Sequence, residues 1–339
     1  MKPRCISRLR TRFDDPSIPL FGLVFLLLFV SFFPGILGFD AAGQLKEVLA
    51  HDLGDWNSPM MSWMWSILNR IYVGPALYLL IDQSIALLAL WLMLRSSFLS
   101  WQGSFYALLA VVFLPPNFVV LGTVSKEGVF CPAILFALAL AYCSHAAAGW
   151  RKSLLALGAG GFLFAAISVR PEGAAPALPI FTWLIWPWFA RTFPGSSPFR
   201  IGRWALAGGL VATLSCLVAV RTINGELLQV RRSFPAQVTL YHDLAAISLG
   251  TGHVVFPAGL QTSHASLANL ELTYDPADCM PLIWSDRPPV RTASSQAEFN
   301  ELLKVWRREV LRHPVVDLTH RAKIFLLFCG FGKEHSSYL

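Results

Sequence analysis

Long apolar stretches with at most one charged residue are the feature that most limits what this chain can fold into. A bilayer core about 30 Å thick is crossed by about 20 apolar residues in a helix, so runs of at least about 17 residues are candidate spans. Seven such runs occur, at residues 19–38, 75–94, 101–123, 128–144, 153–169, 173–190 and 204–220. The sequence therefore predicts an all-α polytopic membrane bundle of about seven spans.

The composition agrees with a membrane protein and excludes several other classes. Only 14 % of the residues are charged, whereas soluble domains carry about a quarter. Hydrophobic residues make up 55 % of the chain and the mean hydropathy is +0.54, which excludes a disordered chain or a coiled coil. The six cysteines show no CxxC spacing, so a disulfide scaffold is not expected. Most basic residues flank apolar runs, so we expect no nucleic-acid partner.

The third run contains a predicted break. Pro115, Pro116 and Asn117 interrupt it, and proline removes a backbone donor and clashes with the preceding helical turn. The run is either one interrupted span or a shorter span that begins near Phe98 and is followed by a re-entrant or surface segment. Both alternatives place Ser125 and the residues after it at an interface.

The distribution of basic residues predicts the orientation of the chain. With a cytoplasmic N-terminus, eleven Lys and Arg residues flank the cytoplasmic ends of the spans and four lie in the short outside loops, as the positive-inside rule requires. No A-x-A-like site follows the first run, so we interpret it as a retained anchor and not a signal peptide. The predicted organisation is a cytoplasmic basic tail over residues 1–18, a transmembrane bundle over residues 19–220 and an extracytoplasmic module over residues 221–339.

The C-terminal module is predicted to be small and of mixed secondary structure. Residues 236–240 lead into a helix-like segment at 244–249. Ser295 and Glu298 form a capping box ahead of apolar residues at helical spacing, which predicts a helix that ends before Pro314.

Acidic and basic side chains lie at the predicted outside ends of the spans, and this is the most informative functional pattern in the sequence. If a bundle gathers them into one polar cavity, the carboxylates are suited to proton transfer and the cations to phosphate binding. The candidate site residues are Asp40, Gln44, Asp55, Lys126, Glu127, Arg170, Glu172, His242 and Asp243.

Several of these candidates also have a structural interpretation. Asp55 is better explained by an Asx turn ahead of residues 57–59. Asp40 can simply end a span and begin the next amphipathic helix. Lys126 and Glu127 can form a solvated turn between helices. His242 and Asp243 are neighbours that point to opposite faces if they lie in a strand, which favours packing or substrate contact over a catalytic dyad.

Two further groups carry weaker predictions. Asp82 and Gln83 lie within the second run, where acids are functional candidates by default and an interhelical hydrogen bond is the structural alternative. His313, Asp317 and His320 fall at i, i+4 and i+7, but a polar helix face explains this spacing equally well, so a metal site is not predicted.

The motifs around these residues resemble those of the GT-C membrane glycosyltransferases. The first outside loop of that family is similar to Phe33, Pro34, Gly35, Phe39, Asp40 and Gln44 followed by residues 55–59, DWNSP. Its second acidic loop and its donor-phosphate loop resemble residues 125–127, SKE, and residues 169–173, VRPEG. Uncharacterised bacterial members have segments similar to residues 241–248, YHDLAAIS, and to His313, Pro314, His320 and Arg321.

The resemblance implies a role for each candidate residue. Asp40 matches the carboxylate that deprotonates or orients the acceptor hydroxyl. Lys126 and Arg170 would hold the phosphate of a polyprenyl-phosphate-linked sugar donor, and Glu127 and Glu172 would orient these cations. Asp55 would help to shape the acceptor site. The other implied substrate contacts are Gln44, His242 and Asp243.

The resemblance also implies a location and partners. It predicts a multi-pass enzyme of the bacterial inner membrane that transfers a sugar from the lipid-linked donor to a glycan or lipid acceptor, with no resident cofactor and the question of a divalent cation left open. Family members usually continue into further spans, so the resemblance predicts a C-terminally shortened member. An O-antigen polymerase or ligase and a non-enzymatic transporter or scaffold are the alternatives.

Overall fold

The computed structural model describes residues 17–96 and 100–331. Residues 1–16 of the predicted tail, and Phe98, where the alternative third span would begin, lie outside the described residues. The chain divides into two compact units, Met1–Arg231 and Arg232–Leu339. The described part is 75 % helical and contains 15 α-helices, which agrees with the predicted all-α class.

The first unit consists of ten α-helices and one short parallel strand pair in its described part. The helices are α1 Ser17–Phe32, α2 Phe39–Ala50, α3 Pro59–Asn69, α4 Ala76–Ser96, α5 Trp101–Val112, α6 Pro115–Gly122, α7 Lys126–Ala146, α8 Trp150–Val169, α9 Ala174–Thr192 and α10 Pro198–Thr222. The strands are β1 Ile36–Leu37 and β2 Thr123–Val124.

Fewer helices than predicted are long and apolar enough to cross a membrane. Among the described residues, α4, α7, α8 and α10 meet this condition, and α5 with α6 adds a fifth if the bent pair counts as one span. Helix α1 is apolar and has 16 residues in its described part, and it ends at Phe32, ahead of Phe33 and Pro34. Helix α9 contains Pro179 and Pro187 and does not meet the condition. Seven spans therefore stay a prediction, and the structure supports four to five.

The predicted break in the third run is confirmed. Helix α5 ends at Val112, and α6 begins at Pro115 after a bend of 75°. Pro115 and Pro116 occupy the first turn of α6, where their missing N–H groups have no intrahelical partner to lose. The side-chain amide of Asn117 donates to the carbonyl of Val111 across the bend at 2.8 Å. The two prolines thus start a new helix instead of kinking a continuous one.

Small residues let the long helices of this unit approach closely. Ala137, Ala141 and Ala159 are fully buried between α7 and α8. Gly209 of α10 faces α9 so closely that a Cβ there would lie 2.9 Å from the backbone nitrogen of Thr182. Close packing of this kind stabilises helix pairs where lipid offers no hydrophobic driving force.

The strand pair links two loops that are distant in sequence. Ile36 pairs with Thr123 and Leu37 with Val124 in parallel register. Because α2 begins two residues after β1 and α7 begins two residues after β2, this register places the first turns of the two helices side by side. The pairing is therefore the element that positions the candidate site.

The second unit is helical in its described part. Its helices are α11 Gln237–Thr251, α12 Leu267–Thr273, α13 Pro281–Trp284, α14 Gln296–Arg312 and α15 Pro314–Phe328. Its described residues form two isolated β-bridges, Gln261 with Val290 and Asp275 with Asp278, instead of the strands that a mixed module requires. The predicted mixed structure therefore does not agree with the described residues.

Helix α11 explains this difference. It begins at Gln237 and buries residues from every side, including Tyr241, His242 and Asp243, because α14 and α15 pack against it. A helix that is buried all round shows no apolar stripe at the 3.6-residue period. Its first half was therefore indistinguishable from an extended segment in the sequence.

The predicted cap of α14 is present with one change. The Ser295 side chain accepts from the Glu298 backbone N–H at 3.2 Å, as a capping box requires. The Glu298 carboxylate, however, accepts from the backbone N–H of Ser294 at 2.8 Å, one residue before the cap. Arg291 also donates to this carboxylate. Glu298 therefore both caps the helix and forms an ion pair with Arg291.

Candidate functional site

The candidate site centres on an ion pair between two loops of the first unit. Lys126 Nζ lies 3.1 Å from Asp40 Oδ2 and 3.4 Å from Asn57 Oδ1. The Asp40 side chain is 58 % exposed and that of Lys126 is 23 % exposed. The carboxylate is therefore open to a substrate, while the cation is held closer to the protein.

Local structure explains why these side chains meet. Asp40 is in the first turn of α2, where a carboxylate interacts favourably with the helix dipole. Lys126 is the first residue of α7, and the Ser125 hydroxyl caps that helix by accepting from the Gly128 N–H at 3.1 Å. The strand register described above then brings the two helix starts together.

A second ion pair lies next to the first along α7. Arg170 Nη2 contacts Glu127 Oε1, and both side chains are partly exposed. Arg170 follows the last residue of α8 in an extended conformation, and Pro171–Gly173 forms a single 3₁₀ turn behind it. Glu172 lies in this turn and is exposed. The structure thus brings together four predicted residues, which with Asn57 we call the loop cluster: Asp40, Asn57, Lys126, Glu127 and Arg170.

Gln44 has a structural position beneath the loop cluster. Its side chain is 1 % exposed, and its amide donates to the Ser58 carbonyl and to the Ser62 hydroxyl, both at 2.9 Å. The Ser58 hydroxyl in turn donates to the Ser168 carbonyl at 3.2 Å. These bonds hold α2, α3 and α8 in register, so the contacts of Gln44 favour a positioning role over substrate contact.

Asp55 lies in the loop between α2 and α3 and is half-buried. Its backbone N–H donates to the Arg231 carbonyl at 3.1 Å, and Arg231 Nε lies 3.2 Å from Asp52 Oδ2. Glu47 lies nearby, and burial raises its pKa, opposed by a bond from the Gly54 backbone and by the charge of Arg231. Gly54 also forms an isolated β-bridge with Arg231, so this loop is tied to the end of the first unit by backbone pairing and an ion pair.

Asp82 is a buried carboxylate close to the loop cluster. It is 6 % exposed within α4, and its Oδ2 has no hydrogen-bond partner among the described residues. A Cβ added to Gly128 would lie 3.4 Å from this oxygen and 3.0 Å from the Thr123 carbonyl. Asp82 thus faces the first turn of α7. Its neighbour Gln83 donates to the Leu121 carbonyl at 2.9 Å, which agrees with the predicted interhelical hydrogen bond.

His242 and Asp243 lie in the second unit, where they are buried in α11. Asp243 Oδ2 accepts from Trp306 Nε1 at 2.8 Å and from Arg321 Nη2 at 2.6 Å, and Asp243 Oδ1 lies 3.5 Å from His320 Nε2. His242 Nε2 bonds the Asp275 carbonyl at 2.8 Å. Burial lowers the pKa of His242, which favours its neutral form.

The structure adds polar contacts that the sequence analysis did not predict. Asn57 contacts Lys126, and Tyr274 bonds His320 Nδ1 at 2.7 Å. The spacing of Asp317 and Arg321, one turn apart on a helix, was the available signal for their bond of 3.1 Å. In contrast, no local pattern connects Trp306 to Asp243.

The loop cluster is suited to proton transfer and to anion binding. It combines an exposed carboxylate with two cations that are already paired, so an incoming phosphate can replace the carboxylates as their partner. Among residues 17–96 and 100–331, no group of three or more His, Cys, Asp or Glu residues is placed to hold a metal ion. Comparisons of the chain with protein families, curated proteins and solved structures find no match.

Proposed function

We propose that this protein is a membrane glycosyltransferase that moves a sugar from a polyprenyl-phosphate donor to a glycan or lipid acceptor. The observation that carries this proposal is the contact between Asp40, in the first turn of α2, and Lys126, at the start of the membrane-capable helix α7. A carboxylate and a cation within 3.1 Å of each other supply the two groups that the reaction needs, a proton acceptor and a partner for the leaving phosphate. The GT-C resemblance of the loops supports the same activity.

The mechanism is a direct displacement at the anomeric carbon. The acceptor oxygen forms a bond to this carbon and passes its proton to the Asp40 carboxylate. The bond between the carbon and the donor phosphate oxygen breaks, and polyprenyl phosphate leaves with the electron pair. Lys126 and Arg170 hold the phosphate and stabilise the charge that develops on it, while Glu127 orients Arg170.

The binding of donor changes the pairing of the cluster in this mechanism. In the structure, Lys126 is paired with Asp40. A phosphate that attracts Lys126 leaves the Asp40 carboxylate available as a base. Donor binding therefore precedes acceptor activation.

The finer topology is part of this proposal. We propose seven membrane segments, a cytoplasmic N-terminus and an extracytoplasmic second unit in the bacterial inner membrane. The asymmetry of basic residues supports the orientation. An outward-facing site uses a lipid-linked donor, since soluble nucleotide sugars are cytoplasmic.

Transfer of radiolabelled sugar from a polyprenyl-phosphate donor in membranes that contain this chain tests the function. We expect transfer by the unaltered protein and at least a 100-fold loss for Asp40→Ala. Asp52→Ala is the matched control, because Asp52 is an exposed carboxylate of the neighbouring loop that pairs with Arg231. Full activity of an inserted and folded Asp40→Ala protein would contradict the proposal.

A transporter is the second candidate, and two observations favour it. Asp82 is buried inside an apolar helix, and α5 and α6 form a bent pair with an angle of 75°. Acids and discontinuous helices line substrate paths in many transporters. Movement of the lipid-linked sugar across proteoliposomes without transfer to an acceptor would favour this alternative.

A further inference from the structure

Helix α15 in the second unit exposes an apolar face. Val315, Leu318 and Phe325 are 74 %, 65 % and 67 % exposed. At 100° per residue they lie within one quadrant of the helix, together with the exposed Ala322, and Leu326 at 47 % borders it. Within this quadrant the side chains of α15 are apolar, and the polar Thr319 lies beside it. In water such a face is a liability, and extended exposed apolar patches mark interaction surfaces.

The opposite face of α15 packs half-buried apolar residues together with two buried polar side chains. Asp317 and His320 are each 5 % exposed. Asp317 bonds Arg321, and Arg321 bonds Asp243 of α11. The buried bonds hold α15 in this rotation, so its apolar face cannot turn inward without leaving charges unpaired.

Positive charge surrounds the apolar face. Arg321 and Lys323 flank it on either side and are exposed, although the Arg321 guanidinium also bonds Asp317 and Asp243. In residues 304–323 the two acidic residues, Glu309 and Asp317, are buried and form ion pairs with arginines. The basic residues of this segment are Lys304, Arg307, Arg308, Arg312, Arg321 and Lys323. Residues 304–323 therefore carry more basic than acidic side chains, six against two.

We propose that α15 is an interfacial helix that lies on the bilayer, with its apolar face among the acyl chains and its flanking cations at anionic phospholipid headgroups. An apolar face with Lys and Arg at its edges is the pattern of helices that lie in the membrane interface, and long basic side chains extend from such a face to the headgroups. The spans of the same chain keep this helix at a high effective concentration near the bilayer.

The proposal is independent of the transferase activity and is tested by the depth of labels on the full-length chain. The six cysteines are replaced, and a fluorescent label is placed at Leu318→Cys or Phe325→Cys. Asn300→Cys is the matched control, since Asn300 is an exposed polar position of the neighbouring helix α14. The protein is reconstituted in vesicles of phosphatidylethanolamine and phosphatidylglycerol that contain nitroxide-labelled lipid, and in parallel in phosphatidylcholine vesicles.

We expect quenching at positions 318 and 325 to exceed that at position 300 by about threefold or more in the anionic vesicles. Lys323→Glu should reduce quenching at position 318, because it places an acid beside the headgroups. Equal quenching at positions 318 and 300 would overturn the proposal. So would quenching that is as strong in phosphatidylcholine, or cross-links between two copies through Leu318→Cys in place of quenching, which would assign the face to a second copy.

Discussion

Lys126 Nζ lies 3.1 Å from Asp40 Oδ2, and this contact joins the first turns of two helices that are far apart in the chain. The parallel pairing of Leu37 with Val124 directly precedes both residues. Backbone pairing therefore fixes the position of the ion pair, and the charged side chains are available for chemistry. The following predictions separate structural from functional roles.

The Asp40–Lys126 pair should contribute little to stability. Asp40 is 58 % exposed, and exposed ion pairs contribute about 0.2 to 1 kcal/mol because solvent screens them. A double-mutant cycle of Asp40→Ala and Lys126→Ala, measured by unfolding in mixed micelles, should give a coupling energy below about 1 kcal/mol. Transfer activity should nevertheless fall by at least about 100-fold in each variant.

A large coupling energy in this cycle, with activity reduced only in proportion to the loss of folded protein, would give the pair a structural role. That outcome would also remove the main support for the proposed base.

Close packing of α9 against α10 should make Gly209 intolerant of a side chain. In Gly209→Ala the new Cβ would lie 2.9 Å from the Thr182 backbone nitrogen, which cannot move without shifting α9. We expect a loss of about 1 to 3 kcal/mol in unfolding free energy and a lower unfolding temperature in detergent. Gly161→Ala is the control, since a Cβ at Gly161 meets nothing within 4 Å. Equal effects of the two substitutions would refute the packing argument.

Asp243 should be essential for the stability of the second unit. It is 2 % exposed and is bonded by Trp306 and Arg321. Asp243→Ala removes the buried acceptor of the half-buried Trp306 and of Arg321, whose side chain is 46 % exposed, and the loss of a hydrogen bond to a charged group costs about 1.5 to 3 kcal/mol. Hydrogen exchange of α11 and α15 should therefore accelerate strongly. Asp286→Ala, at an exposed acid of the same unit, should change exchange little.

Acid should weaken the start of α14 through Glu298. The hydrogen bond from Arg291, with further bonds from Ser294, lowers the pKa of Glu298 from 4.5 to about 2. A carboxyl with a lowered folded-state pKa contributes stability above its unfolded-state pKa, and this contribution is lost as the pH falls from about 4.5 to about 2. Hydrogen exchange of the first turn of α14 should rise over that range. Glu298→Gln should exchange faster at neutral pH and lack this component of the acid response.

Sequence patterns predicted the features whose causes are local. Pro115 and Pro116 predicted the break between α5 and α6, because the missing N–H of proline acts within one helical turn. Ser295 and Glu298 predicted the start of α14, because a capping bond also acts within one helical turn. The second unit shows the opposite case, since the burial of α11 on all sides depends on α14 and α15 and leaves no helical period in its sequence.

The sequence by itself determined that this chain is helical and membrane-capable, since apolar length, helix caps and prolines act on near neighbours in the chain. It also placed Asp40, Lys126 and Arg170 at helix ends. Only the tertiary structure decided which charges meet. The partner of Lys126 depends on the register of β1 with β2, and the partners of Asp243 depend on the packing of α14 and α15. Such contacts depend on long-range packing, which residue spacing does not encode.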